Sequence, residues 1–293
     1  MAGYRTISFL SDYGSVDEFA GVCRSVIADL APEVTVIDIT HEIPPHDIRA
    51  GSLTLVRAVQ YLPEGVVLAV VDPGVATQRR GLAVEVAGGR GVFVGPDNGL
   101  LAPAVSLAGG ATRAVEITDP RFGLPAPGPT FAGRDVFAPA AAHLCRGVEL
   151  TELGPAVEPS SLVPGVVPLA SVDDTGIDAE VLWVDRFGNA QLNVGPDDIA
   201  HLGDPIHLVI EGRPRTATAA YTYDEIPPGG IGLVIDSYGL VSLASARSSA
   251  AAELGLDAGS GVRLEEPSDG DRGADPTSTP VHLHPKPRPD TGR

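Results

Sequence analysis

The amino-acid sequence predicts an α/β protein: an N-terminal α/β domain with a central, largely parallel sheet, followed by a smaller, mainly antiparallel β domain. Two patterns along the chain predict this fold class. Up to about residue 155, short Val- and Ile-rich runs alternate with segments whose apolar residues have helical spacing, as expected of β–α units. From Ile177 onward, short apolar runs are separated by Gly and Pro turns, which is typical of antiparallel strands.

Six short apolar runs in the first half predict the buried strands of the N-terminal sheet. They cover residues 6–10, 34–39, 66–71, 82–86, 92–94 and 114–117. Four other segments of this half predict helices, over residues 16–30, 48–61, 99–107 and 136–146. A proline follows each of the first two segments, at Pro32 and Pro63, and is expected to end the helix.

The second half predicts a β domain with its own boundaries. Six runs predict strands over residues 177–184, 190–194, 206–210, 216–222, 231–236 and 241–244. A Pro-, Gly- and Ser-rich connection precedes them, and a Pro-, Asp- and Gly-rich segment follows. We therefore expect an N-terminal α/β domain over residues 1–165, a linker over 166–176, a C-terminal β domain over 177–266 and a disordered tail over 267–293.

Composition narrows the classes of function. The net charge of −18 argues against nucleic-acid binding, which rests on Lys and Arg. The apolar runs are too short to span a membrane, and the N-terminus lacks the features of a secretion signal. Cys23 and Cys145 each lie in a predicted helix without a CxxC motif, and His41 and His46 have no matching set of carboxylates. We expect a cytoplasmic protein with two buried thiols and no metal site.

A first polar cluster, residues 11–18, lies between the first strand and the first helix and contains Asp12 and Asp17. Ligands of open α/β sheets bind beyond the carboxyl ends of the strands. An acidic loop at this place suits hydroxyl groups or a cationic amine, and it does not suit a pyrophosphate. The alternative is a structural role, in which Ser15 caps the helix while Asp17 and Glu18 interact favourably with its dipole.

A second polar cluster begins with Asp72, which follows an apolar strand and precedes a Pro-Gly turn. A buried carboxylate needs a partner, and Arg79 or Arg80 is the expected one. The alternative is an ion pair that only stabilises the turn.

Two further clusters are ambiguous when each is considered alone. Residues 95–100, which include Asn98, are typical of a turn and a helix N-cap. Residues 185–189 combine an acid, an aromatic ring and an amide, in Asp185, Phe187 and Asn189. This combination suits an aromatic heterocycle and a charged amino acid, although a plain hairpin turn has the same composition.

Together and in this order, the clusters resemble the motifs of one family. The matching residues are Ser-Asp-Tyr-Gly at 11–14, Asp-Pro-Gly-Val at 72–75 with Arg79 and Arg80, Pro-Asp-Asn-Gly-Leu at 96–100, Thr-Phe-x-Gly-Arg-Asp at 130–135 and Asp-x-Phe-Gly-Asn at 185–189. The chain resembles the S-adenosyl-L-methionine (SAM) hydroxide adenosyltransferases, which are SAM hydrolases related to fluorinase and chlorinase. The resemblance extends over about residues 5–266.

The resemblance implies a homotrimer in which SAM lies between the N-terminal domain of one subunit and the C-terminal domain of a neighbour. It implies substrate binding by Asp12, Asp17, Asn98, Asp185, Phe187, Asn189 and Ser237. By motif, Asp12 would hold the ribose hydroxyls through charge-assisted hydrogen bonds, and Ser237 would approach the methionine carboxylate. Asp17 and Asp185 would face the methionine ammonium. Phe187 and Asn189 would help to enclose the ligand.

The reaction that the resemblance implies is displacement at C5′ of the ribose by water or hydroxide, which yields adenosine and L-methionine. Positively charged sulfur is a good leaving group, so we expect no metal and no cofactor, SAM being the substrate. The reaction does need a desolvated nucleophile in line with the C5′–S bond. Asp72 beside that nucleophile would orient or deprotonate water and would repel chloride or fluoride. In fluorinase and chlorinase this position is not acidic.

The resemblance also implies a triad of Asp, Arg and His around the water. Asp72 matches the first member and Arg79, by its seven-residue spacing, the second, with Arg80 a less favoured substitute. Ala132 occupies the position of the His. His143 lies about three helical turns farther along the chain, too far to replace it.

Alanine can neither donate nor accept a side-chain hydrogen bond, so Ala132 removes a group that would position the water, at an expected cost of ~10²–10⁴-fold in rate. Two explanations fit: an engineered substitution in an active hydrolase, or a natural departure in a slow hydrolase or a SAM-binding protein without turnover. The sequence therefore predicts a SAM hydrolase weakened by Ala132. The alternatives are a catalytically silent SAM- or adenosine-binding protein and, disfavoured by Asp72, a halide-dependent adenosyltransferase.

Overall fold

The computed structural model describes residues 3–267, which divide between Pro168 and Leu169 into two compact units. This division falls inside the predicted linker over residues 166–176. The tail predicted over residues 267–293 lies outside the described residues except for Pro267. Each unit has its own hydrophobic core.

The N-terminal unit is built on a sheet of seven strands. They are β1 (Thr6–Ser11), β2 (Thr35–Thr40), β3 (Gly65–Val70), β4 (Gly81–Val86), β5 (Gly91–Pro96), β6 (Ala111–Glu116) and β7 (Ala156–Val157). The helices of this unit are α1 (Phe19–Leu30), α2 (Ile48–Ala58), α3 (Ala102–Leu107) and α4 (Ala138–Cys145), and a π-helical turn (Gly133–Phe137) leads into α4. The strand order is β2-β1-β3-β5-β4-β6-β7.

The sheet of the N-terminal unit is parallel on one side and antiparallel on the other. Strands β2, β1, β3 and β5 are parallel, and β4, β6 and β7 are antiparallel to their neighbours. The chain crosses from β1 to β2 through α1 and from β2 to β3 through α2, as parallel strands of one sheet require. Only residues 87–90 connect β4 to β5, which is too short for a crossover and forces a hairpin.

Strand β3 forms part of the middle layer of the unit. Its six residues are all buried, and their side chains alternate between the two faces of the sheet. Val66, Leu68 and Val70 pack with residues of α1 and α4, whereas Val67 and Ala69 pack with residues of α2 and α3. The N-terminal unit is therefore a three-layer α/β/α sandwich whose strand ends remain free to build a site.

The C-terminal unit is mainly antiparallel β structure, as predicted. Its strands are β8 (Ser171–Val172), β9 (Gly176–Val184), β10 (Ala190–Leu192), β11 (Ile206–Ile210), β12 (Arg213–Ala219), β13 (Ile231–Ile235), β14 (Val241–Ala244) and β15 (Gly261–Glu265), with short helices α5 (Pro196–Ile199) and α6 (Ala250–Leu254). The order is β10-β14-β13-β12-β11-β15-β9-β8, and β10 also pairs with β9, which closes the sheet on itself. Strands β12 and β13 are parallel neighbours.

The predicted fold class is confirmed, and several local features differ from the prediction, two of which concern α1 and β15. Helix α1 begins at Phe19 rather than at residue 16, and its N-cap, Glu18, makes no side-chain capping hydrogen bond. Ser15 therefore does not cap the helix, and the structural role proposed for it is wrong. The sequence prediction has no strand at β15, although Val262 and Leu264 are both buried and alternate as strand residues do.

Both cysteines are free and buried, as predicted. Burial raises the pKa of the Cys23 thiol and of the Cys145 thiol to about 12, so both stay protonated and unreactive at neutral pH. Within residues 3–267, every helix is too short or too polar to cross a membrane.

Candidate active site

Two aspartates lie where the neighbouring parallel strands β1 and β3 end. Asp12 follows β1 directly, and Asp72 follows β3 after one further residue. Ser11 pairs in register with Val70, and the backbone N–H of Asp12 donates to the Val70 carbonyl at 3.3 Å. Both carboxylates therefore lie at the edge of the sheet where open α/β proteins bind their ligands.

A cavity of about 520 Å³ opens at this edge. Four of the site residues predicted from the sequence line it: Asp12, Asp17, Asp72 and Ala132. Its volume is in the range of small-molecule sites. With Glu42, four carboxylates line this cavity, and they favour a ligand that carries hydroxyl groups or a positive charge.

Asp72 and Arg79 form a two-pronged ion pair. Arg79 Nε donates to Asp72 Oδ1 at 2.8 Å, and Arg79 Nη2 donates to Asp72 Oδ2. The Asp72 side chain is only 7% exposed, and the Arg79 guanidinium lies 5.0 Å from the centre of the Phe137 ring. The connecting turn is closed by hydrogen bonds from Val75 N to the Asp72 carbonyl and from Thr77 Oγ1 to the Gly74 carbonyl. Arg79, chosen by spacing, is therefore the residue that holds Asp72.

Arg80 has a different partner. Its Nε donates to Asp97 Oδ2 at 2.8 Å, and its Nη2 donates to the Ser161 carbonyl at 2.7 Å. The second Asp97 oxygen accepts a hydrogen bond from Val163 N at 2.9 Å. Two consecutive arginines therefore neutralise two different aspartates, and only Asp72 of these two lines the cavity.

The loop that carries Asp12 is fastened to the segment after β2. Asp12 Oδ2 accepts a hydrogen bond from His46 N at 2.9 Å, and the Gly14 N–H donates to the His41 carbonyl at 2.7 Å. The hydroxyl of Ser11 lies 2.7 Å from His41 Nδ1. His41 and His46 thus serve the local structure, and they orient Asp12 toward the cavity that all three residues line.

Aromatic side chains form the wall next to Ala132. The rings of Tyr13, Phe19 and Phe131 lie 5.0–5.8 Å apart, and Phe131 meets the other two edge to face. Ala132 precedes the π-helical turn, a feature often found at functional sites. The sequence analysis did not assign these rings to the site, although Tyr13 and Phe131 both lie within motifs that it matched.

Asn98 does not line the cavity. Its Nδ2 donates to the Val71 carbonyl at 2.9 Å, and its Oδ1 accepts a hydrogen bond from Leu100 N at 3.2 Å. Both ends of the amide therefore fix the backbone next to Asp72. His143 is also outside the cavity, with its ring 5.2 Å from that of Phe122, in agreement with the expectation that it does not replace the missing His.

In the C-terminal unit, the Asp185 carboxylate organises the turn between β9 and β10. Asp185 Oδ1 accepts hydrogen bonds from Phe187 N at 2.8 Å and from Asn189 N at 2.9 Å, and Oδ2 accepts one from Asn189 Nδ2 at 2.7 Å. Gly188 is required here because its φ is +85° and an added Cβ would lie 2.0 Å from Ser249 Oγ. The turn leaves the Phe187 ring 78% exposed, so it presents an aromatic face.

Ser237 lies in a second turn of the C-terminal unit, between β13 and β14. Its neighbour Asp236 accepts hydrogen bonds from Tyr238 N at 2.8 Å and from the side chain of Gln191, which belongs to β10. Ser237 is exposed. Burial and the carboxylates of Asp185 and Asp236 raise the pKa of Tyr223. One carboxylate from each turn therefore affects the pKa of the same phenol.

Among the described residues, no group of three His, Cys, Asp or Glu side chains is arranged to hold a metal ion. The cavity presents carboxylates and an aromatic wall, and Arg79 holds one of those carboxylates, that of Asp72.

Two family models match the chain. The SAM hydroxide adenosyltransferase N-terminal domain matches residues 7–154, and the C-terminal domain of the same family matches residues 179–263. The chain belongs to the SAM hydroxide adenosyltransferase family. The two matched segments lie in the two structural units described above.

Individual relatives support the same assignment. A Salinispora arenicola protein named (R)-S-adenosyl-L-methionine hydrolase is 46% identical over 264 residues, 90% of this chain and 99% of that protein. A Thermus thermophilus protein of the same name is 43% identical and covers 89% of this chain and 99% of its own length. A fluorinase of an Actinoplanes species is 27% identical, over 72% of this chain and 80% of that protein.

Among solved structures, an uncharacterized conserved protein from Thermotoga maritima is similar to this family member. Its TM-score is 0.80 at 31% sequence identity, and the match covers 88% of this chain and 99% of that one.

Proposed function

We propose that this family member is a SAM hydrolase, which displaces L-methionine from C5′ of the ribose of SAM with water and releases adenosine. The Asp72 carboxylate carries the proposal, because it is paired with Arg79 and faces the cavity that Asp12 and Asp17 also line. The relatives at 46% and 43% identity, both named (R)-SAM hydrolases, support the same reaction.

In this mechanism, Asp72 positions the nucleophilic water and accepts its proton. Each oxygen of Asp72 accepts one hydrogen bond from Arg79, and each retains a second acceptor position for water. As the bond from water oxygen to C5′ forms, the C5′–S bond breaks and methionine leaves as a neutral thioether. The proton of the water passes to Asp72 and then to solvent, while Arg79 keeps the carboxylate in place.

We propose that residues of each unit contribute to substrate binding. We propose that Asp12 binds the ribose hydroxyls and Asp17 the methionine ammonium. In the C-terminal unit, the proposed substrate-binding residues are Asp185, Phe187, Asn189 and Ser237. The contacts of Asn98 support an indirect role, in which its amide fixes the backbone at Val71 and thereby the direction of Asp72.

The proposal extends to the assembly and the compartment. We propose a cytoplasmic homotrimer in which the C-terminal unit of one copy completes the cavity of a neighbouring copy, without a cofactor. The two free cysteines support the compartment, because a reducing cytoplasm keeps thiols unpaired. The trimer rests on the resemblance to the family.

Incubation of the purified chain with SAM in H₂¹⁸O tests the reaction. We expect adenosine and L-methionine in equal amounts, with ¹⁸O in the 5′-hydroxyl of adenosine, because the water attacks C5′. The (R) and (S) epimers at sulfur are supplied separately, and we expect preference for the (R) epimer that the relatives' name specifies. Product without label in adenosine would contradict attack by water at C5′.

Ala132 favours a second candidate, a protein that binds SAM or adenosine without turnover. Alanine in the cavity wall offers no hydrogen bond to water, whereas the binding residues are intact. Calorimetry with SAM and an assay for adenosine separate the two candidates. If neither the chain nor its Ala132→His variant yields more adenosine than a control without protein, the hydrolase proposal is wrong, and saturable SAM binding would then support the silent binder.

A further inference from the structure

The phenol of Tyr13 lies directly against the π-helical turn that follows Ala132. An ideal Cβ added to Gly133 would lie 2.0 Å from Tyr13 Oη and 2.9 Å from its Cζ. The glycine of the Thr-Phe-x-Gly-Arg-Asp motif is therefore needed to admit this ring. The contact places Tyr13 Oη next to the residue that stands where the family has a His.

Tyr13 belongs to the wall of the cavity. It lines the cavity together with Asp72 and Ala132, and the hydrogen bond that it donates within residues 3–267 comes from its backbone N–H, to Ser11 Oγ at 3.3 Å. Ser52 Oγ is the single fully buried side-chain polar atom without a partner in that part of the chain. Tyr13 Oη is therefore not a fully buried atom left without a partner.

The Asp72–Arg79 pair contacts the same π-helical turn from its other end. The Arg79 guanidinium lies 5.0 Å from the Phe137 ring, and Phe137 closes the turn that Gly133 opens. One short segment thus supports the ion pair at one end and the Tyr13 phenol at the other, with Ala132 immediately before it.

The electrostatics of the cavity keep the phenol protonated. Burial raises the pKa of Tyr13 above its usual range, and Cys23, Asp12 and Asp72 raise it further, against a smaller opposite effect of Arg79. At physiological pH, Tyr13 is therefore a neutral hydroxyl that both donates and accepts hydrogen bonds.

We propose that Tyr13 Oη is the second hydrogen-bonding group for the nucleophilic water, in the role that Ala132 leaves without a side chain. This inference rests on the proposed hydrolysis of SAM. Asp72 accepts the proton that the water loses, while Tyr13 Oη hydrogen-bonds to the same water and fixes its direction toward C5′. Tyr13 neither gains nor loses a proton overall, so it positions the nucleophile and does not act as a base.

A set of four proteins tests the proposal: the chain itself, Tyr13→Phe, Ala132→His and the double variant. Phenylalanine keeps the ring contacts with Phe19, Phe131 and Gly133 and removes only the hydroxyl. We expect Tyr13→Phe to lower kcat about 10- to 100-fold, with KM for SAM changed less than about 3-fold. In the Ala132→His background we expect a loss of less than about 3-fold, because the imidazole then supplies the second hydrogen bond.

Tyr4→Phe is the matched control. Tyr4 packs on the same hydrophobic cluster of the N-terminal unit, and its Oη donates to the Gly89 carbonyl at 2.9 Å, away from the cavity. We expect kcat of this variant to equal that of the parent chain. Thermal unfolding and calorimetric SAM binding of all variants establish that each is folded and loaded.

Three outcomes would overturn the role of Tyr13: an unchanged kcat in Tyr13→Phe, an equal loss in both backgrounds, or a rise in KM alone. An unchanged kcat would mean that the hydroxyl has no role in the reaction. An equal loss in both backgrounds would mean that the hydroxyl contributes to packing, and a rise in KM alone would mean that it contributes to substrate binding. Failure of the proposed function has a different signature, since no member of the set would then release adenosine.

Discussion

Two ion pairs of the same composition lie side by side in the N-terminal unit. Asp72 pairs with Arg79 and Asp97 pairs with Arg80, and the aspartate side chains are 7% and 5% exposed. Each carboxylate follows or ends a strand, and each guanidinium comes from the short segment before β4. Composition and burial alone do not distinguish these pairs.

What distinguishes the two pairs is the remaining hydrogen-bonding capacity of the carboxylate. Asp97 also accepts the Val163 N–H, and Arg80 also donates to Ser161, so this pair fastens the loop over residues 161–163. Asp72 accepts hydrogen bonds from Arg79, and it lines the cavity. A buried ion pair becomes chemically useful where the protein leaves one side of it unsatisfied.

The largest expected effect comes from removing the charge of each aspartate in turn. Asp72→Asn should lower the rate of adenosine formation ~10²–10⁴-fold, because an amide cannot accept the proton of water. Asp97→Asn should leave the rate within about 3-fold and lower the free energy of unfolding by about 1–3 kcal/mol. Single-turnover assays and urea unfolding measure the two effects. If both folded variants lost the same factor in rate, the different roles assigned to Asp72 and Asp97 would be wrong.

The next largest expected effect is an increase in the rate of adenosine formation. Ala132→His should raise the rate of adenosine formation about 10- to 100-fold, which is less than the full contribution of a water-positioning group because Tyr13 already supplies part of it. Steady-state assays at saturating SAM measure the gain. The same substitution in an Asp72→Asn background should restore little, since the imidazole orients water but leaves the carboxylate missing. A full restoration there would assign the role of base to the imidazole.

A third ion pair joins Glu85 and Arg113. Because Glu85 and Arg113 do not line the cavity around Asp72, we expect this pair to affect the stability of the fold and not the rate of the reaction. Hydrogen bonds from Arg113 lower the pKa of Glu85 below its ordinary value of 4.5, against burial, which raises it. The pair therefore stabilises the fold fully above pH 4.5 and loses this contribution as the pH falls through the lowered pKa. Glu85→Gln should have a lower Tm at neutral pH, and its deficit should shrink below pH 4.5. A deficit that stays constant with pH would exclude the ion pair as its cause.

The smallest expected effect is the response to halide. With chloride or fluoride added at high concentration, the chain should form no 5′-halo-5′-deoxyadenosine, because the Asp72 carboxylate repels an anion at close range. Mass spectrometry of the nucleoside products checks this, with Asp72→Asn as the variant that lacks the repulsion. Halogenated product from the unaltered chain would contradict the discrimination assigned to Asp72.

The sequence predicts the parts of this molecule that depend on local pattern. The alternation of strands and helices and the change to antiparallel strands after Ile177 agree with the structure. The resemblance to the family implied Arg79 rather than Arg80 by its seven-residue spacing from Asp72, and the ion pair agrees with that choice. Each depends on residues close together in the chain. Strand β15 escaped the prediction because its five residues offer only two apolar positions, too few to establish a period.

The contact of Tyr13 with Gly133 could not be predicted in the same way. The two residues are far apart in sequence, and the contact depends on the packing of the first loop against a π-helical turn. For a similar reason, the sequence did not predict that Asn98 lies outside the cavity. The motif specifies an asparagine at this position, but it does not specify the direction of the amide, which bonds to the backbone of Val71. The roles of the site residues remain predictions for the variants above to test.

The turn over residues 73–78 sets the distance between a carboxylate and the first of two adjacent guanidinium groups. Ala76 has a φ of +65° in it, and Thr77 closes it onto Gly74. Insertion of one residue would bring Gln78 to the place of Arg79 and leave Asp72 without its partner, and deletion of one residue would bring Arg80 there and leave Asp97 without its partner. The site is thus specified by a length as well as by side chains, so a change in the number of residues in this turn should disturb it more than a substitution at its exposed position Gln78.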